Sequence, residues 1–508
     1  MEKIIVAKKN DVYLYISCER GTAQELSSYF SFFVPNYRFH PSFKNRMWDG
    51  KIRLFNLNTS ELYVGLLHYL KLFCKKYEYT LELEHGIEET NKIEFNEISD
   101  YVIKNLQPRV KGKLITPRDY QLYAIHHAIN NNRVLLLSPT SSGKSLIIYS
   151  IIRWYENNII SNNEKIMIIV PTTNLVEQMS SDFLDYSSHD DTWNGEDKIH
   201  KIYSGKEKNT DKKITISTWQ SLYKLPESTF KDYRIIVGDE CHLFKAKSLT
   251  TLLTKFKNCP YRFGTTGTLD GTQTNKLVLE GLFGKINTVT TSKELMEKNH
   301  ISSLSIKCLV LQYNDYTRKL LKKVKYQDEI NFLVESKIRN NFIKNLLLSL
   351  EGNSLLLFNY VQKHGKVLYE LIKKSKHAKD KNIYFVSGAT KVEQREEVRT
   401  LTEKYDNAII LASSGVLSTG TNIKNLQNLI FAHPSKGKIR NLQSIGRILR
   451  LDDKKNKATL YDIADDMSSG KYENFSLKHF LVRLNLYNQQ QFDYKTYKIE
   501  VEENEKMS

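Results

Sequence analysis

The apolar run Val134-Leu135-Leu136-Leu137 stops at the loop Ser138-Pro139-Thr140-Ser141-Ser142-Gly143-Lys144-Ser145, and apolar residues resume at once in Leu146-Ile147-Ile148-Tyr149. A short run of this kind reads as a strand buried on both faces and its resumption as a helix, a succession that belongs to parallel sheets covered by helices. It also builds a phosphate cradle. The loop from Pro139 through Thr140, Ser141, Ser142 and Gly143 offers backbone N–H groups to an anion, together with the helix N-terminus. Lys144 supplies a mobile positive charge, and the Ser145 hydroxyl can take a place on Mg²⁺. Gly-Lys-Ser also arises by chance, and the consensus opens with Gly where this chain has Ser138, so a second element is needed.

That element is Arg234-Ile235-Ile236-Val237-Gly238-Asp239-Glu240-Cys241-His242. An ATPase needs an acidic residue at the end of a neighbouring strand, to hold the metal and orient the attacking water. Asp239 fits the metal and Glu240 the water. A buried strand ending in a solvated acidic turn is the bland reading, but the Asp-Glu-x-His quartet after a Gly-Lys-Ser strand favours the chemical one.

Further motifs follow in order: Pro117-Arg118-Asp119-Tyr120-Gln121 ahead of the loop, then Val170-Pro171-Thr172-Thr173-Asn174, Ser217-Thr218-Trp219-Gln220, Thr266-Gly267-Thr268, Thr419-Gly420-Thr421 and Gln443-Ser444-Ile445-Gly446-Arg447-Ile448-Leu449-Arg450. This series resembles that of the superfamily-two, DExH-type helicases from about residue 110 to 470. The whole chain is similar to the UvsW-like phage recombination helicases, with Tyr37-Arg38-Phe39-His40-Pro41 and Trp48-Asp49-Gly50-Lys51 near its start and a shared Pro-Thr-Ser-x-Gly-Lys-Ser loop. Ser141 replaces the more usual Gly there, and Gly tolerates backbone angles that Ser does not.

The resemblance implies an α/β protein of two tandem RecA-like parallel-sheet lobes with a small N-terminal α+β accessory domain. Its cofactors would be ATP and Mg²⁺, with Arg118 and Gln121 at the adenine and Gly420 also on the nucleotide. Arg447 and Arg450, three residues apart on a helix, place two guanidinium forks on one face, which suits phosphate. The resemblance makes them arginine fingers, with Gln443 beside them in the same motif. ATP would then close a cleft between the lobes, and hydrolysis would reopen it. Thr172, Thr173, Thr218, Trp219, Gln220 and Thr419 fall where the family holds the sugar-phosphate backbone; for any one threonine, capping or turn formation is an equal reading. The implied activity is remodelling of branched DNA (fork regression, Holliday-junction branch migration) and of RNA–DNA hybrids. It implies a monomer in the absence of DNA, working in the host bacterial cytoplasm.

The chain has 508 residues, a net charge of +18 and a pI near 9.3. Such a field attracts polyanions, although Lys, Asn and Ile are frequent throughout and much of the charge can be solvated surface. The stretch 37–53 interleaves Arg38, His40, Lys44, Arg46, Lys51 and Arg53 with Tyr37, Phe39, Phe43 and Trp48. Cations on backbone and rings on bases bind single strands, so Arg38, Lys44, Arg46 and Trp48 are candidate contacts; some of the rings can instead be core. Five scattered cysteines without CxxC spacing point to a reducing interior and no structural zinc. No apolar run approaches the roughly 18 residues of a membrane span, and Ile4-Ile5-Val6-Ala7 is too short for a signal segment.

The chain divides into segments 1–105, 106–298, 299–470 and 471–508. In the first, 11–17 reads as a strand, Thr22 to Glu25 as a capping box opening a helix, Asp49-Gly50 as a hairpin turn, and 61–76 as a second helix. Strands in the second are 134–137, 166–170, 214–217, 235–237 and 261–264. The third has 355–358, 383–386, 408–411, 429–431 and 459–461, preceded by one long helix through Ile330, Leu333, Val334, Ile338, Phe342, Leu346 and Leu350. The charged end, 500–506, reads as frayed. Two other functions remain open. One is a non-catalytic nucleic-acid clamp or annealing protein using ATP as a switch; the other, the motor of a restriction complex, needs a nuclease cluster or large extra domain that the chain does not display.

Overall fold

The structure, a computed structural model, describes residues 2–87, 92–243, 247–269, 272–416, 425–434, 437–449 and 457–501. The chain folds into two compact units, Met1–Thr290 and Thr291–Ser508.

In the first unit seven parallel strands form one sheet in the order Ile199–Ile202, Ile214–Thr218, Lys165–Val170, Tyr233–Gly238, Tyr261–Thr266, Arg133–Leu137, Ile286–Thr288. Side chains alternate across it, as a period of two requires. Val134, Leu136, Ile166, Ile168 and Val170 enter one core with Ile125, Ile148, Ile152 and Phe183 of the helices on that face. Leu135, Met167, Ile169 and Ile236 enter another on the opposite face. Burial on both faces is why these strands read as unbroken apolar runs.

The second of those cores does not stop at the sheet. It continues into Ile4, Leu14, Leu66, Leu70 and Phe73 of the N-terminal module. That module is a five-stranded mixed sheet, Phe55–Asn56, Glu61–Tyr63, Tyr13–Ser17, Lys3–Lys8, Thr80–Leu83, with helices Arg20–Tyr29 and Leu67–Tyr77. The seam is tight. A Cβ on Gly65 would lie 2.0 Å from the Glu280 carbonyl oxygen, and Tyr69 donates its hydroxyl to Glu280 at 2.8 Å.

Several local expectations change here. The first helix begins at Arg20, and Thr22 is buried inside it rather than capping it, bonded to Glu2. Residues 61–63 are a strand, and the helix expected over 61–76 starts at Leu67. Asp49-Gly50 does not close a tight hairpin: Lys51–Arg53 pairs antiparallel with Ser31–Phe33, and Val34 N–H donates to the Gly50 carbonyl at 2.9 Å. The segment 34–50 is therefore a long loop on a two-stranded ribbon.

In the second unit seven parallel strands run in the order Asn382–Val386, Ala408–Ser413, Ser354–Phe358, Asn428–Phe431, Lys457–Asp466, Ser303–Tyr313, Tyr494–Val501. Numbered along the chain within each unit, the two sheets share the order 3-4-2-5-6-1-7. The one long helix expected before Ser354 is two, Tyr326–Glu335 and Lys337–Ser349, because Ser336 breaks the first and its hydroxyl accepts from the N–H of Arg339 to start the next. Helix Phe475–Gln489 packs against this sheet, with Arg483 bonded to Asp462 of strand Lys457–Asp466, and strand Tyr494–Val501 joins it by pairing with Ser303–Tyr313. Residues 502–508, including most of the expected frayed end, lie outside the described residues. Among the described residues no helix is long and apolar enough to cross a membrane.

Candidate nucleotide site and strand-binding grooves

Strand Arg133–Leu137 delivers the loop 138–143 to helix Lys144–Asn158 at the carboxyl end of the sheet, where parallel strands present their ligand-binding loops. Gly143 caps the helix with φ 79°, and Ser141 also sits in the left-handed region at φ 69°. That conformation costs a non-glycine residue about 1 to 2 kcal/mol, so the loop is held by its surroundings. Ser138 N–H donates to Thr266 O at 2.9 Å. The Ser138 and Ser142 hydroxyls meet at 2.5 Å, and Ser142 Oγ donates to Pro139 O at 2.6 Å. The serine in place of the consensus glycine thus braces the loop from inside.

Gln121 is buried beneath it. Its Nε2 donates to Ser142 O at 2.9 Å and its Oε1 accepts from Arg118 N–H at 2.8 Å. The Tyr120 hydroxyl donates to the same Ser142 carbonyl at 3.0 Å, and Arg118 Nη1 reaches Tyr120 at 3.1 Å. Arg118, Tyr120 and Gln121 are therefore gathered at the loop, with Thr140 N–H within 3.7 Å of where a Gly267 Cβ would stand.

The acidic pair arrives on strand Tyr233–Gly238. Asp239 Oδ1 accepts from Thr265 Oγ1 at 2.6 Å and from Glu240 N–H at 2.9 Å. Lys144 Nζ lies 3.5 Å from Glu240 Oε1 and donates to Ser138 O at 3.4 Å. Burial and the adjacent Glu240 carboxylate push the Asp239 carboxyl above its ordinary value. Burial acts in the same sense on Glu240, but Lys144 and His242 outweigh it and hold that carboxyl below the usual range. His242 Nδ1 lies 3.3 Å from Glu240 Oε2 and 3.1 Å from Thr266 Oγ1, which donates on to Thr268 O at 3.1 Å. A polar path thus runs from Lys144 through Glu240 and His242 into the Thr266-Gly267-Thr268 segment.

An oxygen-only donor set of one hydroxyl and one carboxylate, Ser145 and Asp239, suits Mg²⁺, which keeps water and phosphate oxygens as its remaining ligands. Among the described residues no cluster of three His, Cys, Asp or Glu offers a cage of protein ligands.

Two grooves of about 600 Å³ carry the candidate strand contacts. The first, on the sheet's carboxyl edge, is lined by Thr172, Thr173, Thr218 and Gln220 together with Tyr203, Lys206 and Lys208. Trp219 is not among them: it packs against the core and lies 5.8 Å from the Tyr223 ring. The Tyr203 to Lys208 loop was not anticipated, because His200 and Lys201 break the apolar pattern of the strand before it. The rule that ligands gather where parallel strands end would have found it. Replacing Lys206 by alanine is expected to weaken single-strand binding uniformly across sequences and to lower the salt slope by about one, read by anisotropy over a salt series. In the second unit the corresponding strand ends carry Asn359, Ser387 and Ser414, with Asn359 Nδ2 2.9 Å from His433 Nδ1.

The second groove lies on the loop 34–50 and is lined by Arg38, Phe43, Lys44, Arg46, Met47, Trp48 and Asp49. All four candidate contacts of the N-terminal stretch meet there. The rings divide between the two readings. Tyr37 packs on Phe33 and Phe43, at 4.6 and 4.8 Å, whereas Phe39 is 76% exposed. Trp48 is anchored by its Nε1, which donates to Lys51 O at 2.8 Å. Thr419, Gly420 and Arg450 lie outside the described residues. Gln443 and Arg447 fall in helix Lys438–Ile448, but their side chains lie outside the described residues too.

Comparison with known proteins agrees with this layout. Residues 4–84 match the family "DNA helicase UvsW, N-terminal", 114–271 match "Type III restriction enzyme, res subunit" and 338–452 match "Helicase conserved C-terminal domain". The chain is 35% identical to the ATP-dependent DNA helicase uvsW of Enterobacteria phage T4 over 499 residues, 95% of this chain and 96% of that one. The crystal structure of T4 UvsW superposes with a TM-score of 0.53 at 33% identity, covering 98% of this chain and 100% of that one. The type ISP restriction-modification enzyme LlaBIII, bound to DNA, shares the fold at 15% identity and a TM-score of 0.57, with 80% of this chain matching 33% of that one. An identity above one third that spans both chains nearly end to end, over the nucleotide loop and the N-terminal module alike, places this protein in the UvsW family of ATP-dependent DNA helicases.

Proposed function

We propose that this helicase uses Mg²⁺-assisted ATP hydrolysis to remodel branched DNA, by fork regression and Holliday-junction branch migration, and to open RNA–DNA hybrids. The observation that carries the reading is the path Lys144–Glu240–His242–Thr266, which leaves the nucleotide loop and ends in Thr266-Gly267-Thr268, a segment that resembles the helicase motif connecting the ATP site to the strand-binding face. Lys144 and the loop amides hold the triphosphate, and Glu240 orients the attacking water. Ser145 and Asp239 would hold Mg²⁺, which would supply positive charge to the phosphates. Arg118 and Gln121 lie at the base side. Gly420, Gln443, Arg447 and Arg450 are assigned to the same reaction on their motif spacing, with the arginines supplying positive charge to the γ-phosphate.

Two grooves support a branched substrate. Thr172, Thr173, Thr218 and Gln220, with Thr419 by motif, grip one strand through its backbone, a sequence-blind mode. Arg38, Lys44, Arg46 and Trp48 offer a second contact, cationic with an aromatic face, in the same compact unit. A linear strand needs one such surface, whereas a fork can use both. The working form is a monomer until DNA is present, and its setting is the cytoplasm of a phage-infected bacterium.

The test is unwinding and ATP turnover on forked, Holliday-type, hybrid and linear substrates. Forks and junctions are expected to be processed fastest. The double substitution Arg46→Ala and Trp48→Ala is expected to weaken fork binding about tenfold or more, with a smaller effect on linear strands. Equal rates on linear duplex and forks would remove the branch assignment.

A further inference from the structure

Ser145, the residue assigned above to the cation, is already engaged: its Oγ lies 2.9 Å from the Tyr186 hydroxyl. Tyr186 is the last residue of helix Thr173–Tyr186. The first residue of that helix, Thr173, and its N-cap Thr172 line the strand groove. A helix of 14 residues, about 21 Å long at 1.5 Å per residue, therefore has one end in the groove and the other on the nucleotide-loop serine.

Both ends are built for contact. Tyr186 is 8% exposed and its ring is held against Tyr149, with centroids 5.4 Å apart. Tyr149 is fixed in turn: Arg153 Nη1 donates to its hydroxyl at 2.7 Å, and Arg153 Nη2 donates to Asp190 at 2.8 Å. The Tyr186 phenol hydroxyl can both donate and accept a hydrogen bond. At the other end, Thr172 Oγ1 is buried and has no hydrogen-bond partner among the described residues. A hydroxyl in that condition lacks an interaction that a strand phosphate could provide.

We propose that Tyr186 is a positioning residue: its hydroxyl oxygen accepts a hydrogen bond from the Ser145 hydroxyl, which leaves the Ser145 lone pairs free for the cation, and it reports strand binding in the groove to the cation site through its helix. The inference rests on the reading of Ser145 as a Mg²⁺ ligand. A serine ligand needs a lone pair on the metal and an acceptor for its proton; with the acceptor fixed, the oxygen meets the cation already oriented. A short helix moves nearly as a rod. Closing of the groove on a strand at Thr172 and Thr173 therefore shifts Tyr186, and cation affinity and strand affinity become reciprocally coupled.

The experiment compares full-length wild type, Tyr186→Phe and Ser145→Ala for binding of a fluorescent ATP analogue as Mg²⁺ is titrated, with and without single-stranded DNA. Phenylalanine keeps the ring packing and removes only the hydroxyl. In Tyr186→Phe the half-maximal Mg²⁺ concentration is expected to rise about tenfold, with analogue affinity in EDTA unchanged. The tightening of Mg²⁺ binding that DNA produces in wild type should be lost. A Tyr186→Phe titration that overlays wild type while Ser145→Ala is shifted overturns this inference alone. If Ser145→Ala is unshifted as well, the assignment of Ser145 to the metal falls with it. A wild type whose Mg²⁺ titration ignores DNA overturns the coupling, and a changed affinity in EDTA overturns the positioning role by showing damage to the cradle itself.

Discussion

Alanine at Lys144 is expected to lower DNA-stimulated ATP turnover about 10³-fold, the scale on which removal of a charge-stabilising group slows a reaction, while leaving DNA binding within about twofold of wild type. Lys144 Nζ stands between Ser138 O and Glu240 Oε1, at 3.4 and 3.5 Å, with its side chain only 14% exposed. Its removal takes away two things: the cation that meets the phosphates, and the partner that offsets the burial of Glu240. With that partner gone, only His242 opposes the effect of burial, and the Glu240 carboxyl rises from its lowered value. Glu240→Gln separates the two losses. It keeps Lys144 and nucleotide binding and removes only the carboxylate, and a fall in turnover of similar size is expected. A coupled ATPase assay beside anisotropy on labelled DNA reads both variants. Undiminished turnover in both would leave a clamp that treats ATP as a ligand, not a motor.

Leucine at Arg339 is expected to destabilise the second unit by about 3 to 5 kcal/mol, because it leaves a buried carboxylate without its partner. Arg339 and Asp465 have fully buried side chains. Arg339 Nε donates to Asp465 Oδ1 at 2.8 Å and Nη2 to Oδ2 at 3.1 Å, with a further bond from Nη2 to Ala432 O at 2.8 Å. Tyr313 adds its hydroxyl to Asp465 at 2.9 Å. These bonds tie helix Lys337–Ser349 to the ends of three neighbouring sheet strands. Urea unfolding of the full chain measures the effect, and the double variant Arg339→Leu with Asp465→Leu should recover much of the loss, since no charge is then stranded. A single-variant loss under about 1 kcal/mol, the scale of a surface pair, would refute the role.

Most of the strands that were legible in sequence are buried on both faces, although the half-buried edge strand Asn382–Val386 was legible too, from its run Ile383-Tyr384-Phe385-Val386. Val134 to Leu137, Ile166 to Val170 and Leu355 to Phe358 have helices above and below, so almost every position must be apolar. Strands that were not legible lie at or near sheet edges. Tyr494–Val501 carries Lys495, Thr496, Lys498 and Glu500, a polar composition that keeps an exposed edge from pairing with other chains and also hides it from a hydrophobic pattern. Ile199–Ile202 is hidden likewise by His200 and Lys201. The helix break at Ser336 was invisible because the apolar stripe runs through it, and only the cap bond to Arg339 marks the new start.

Chemistry that needs particular functional groups at fixed spacing was determined by sequence alone: Gly143-Lys144-Ser145, Asp239-Glu240 and the serial order of the motifs leave few folds and few reactions open. The tertiary structure decided what depends on residues far apart in the chain. It set Lys144 against Glu240, passed His242 to Thr266, brought Tyr203 to Lys208 beside Thr172 and Thr218, turned Trp219 inward, and laid Tyr186 on Ser145. Spacing along a chain encodes local geometry, whereas a contact across a sheet exists only once burial of the intervening apolar residues has brought its two ends together.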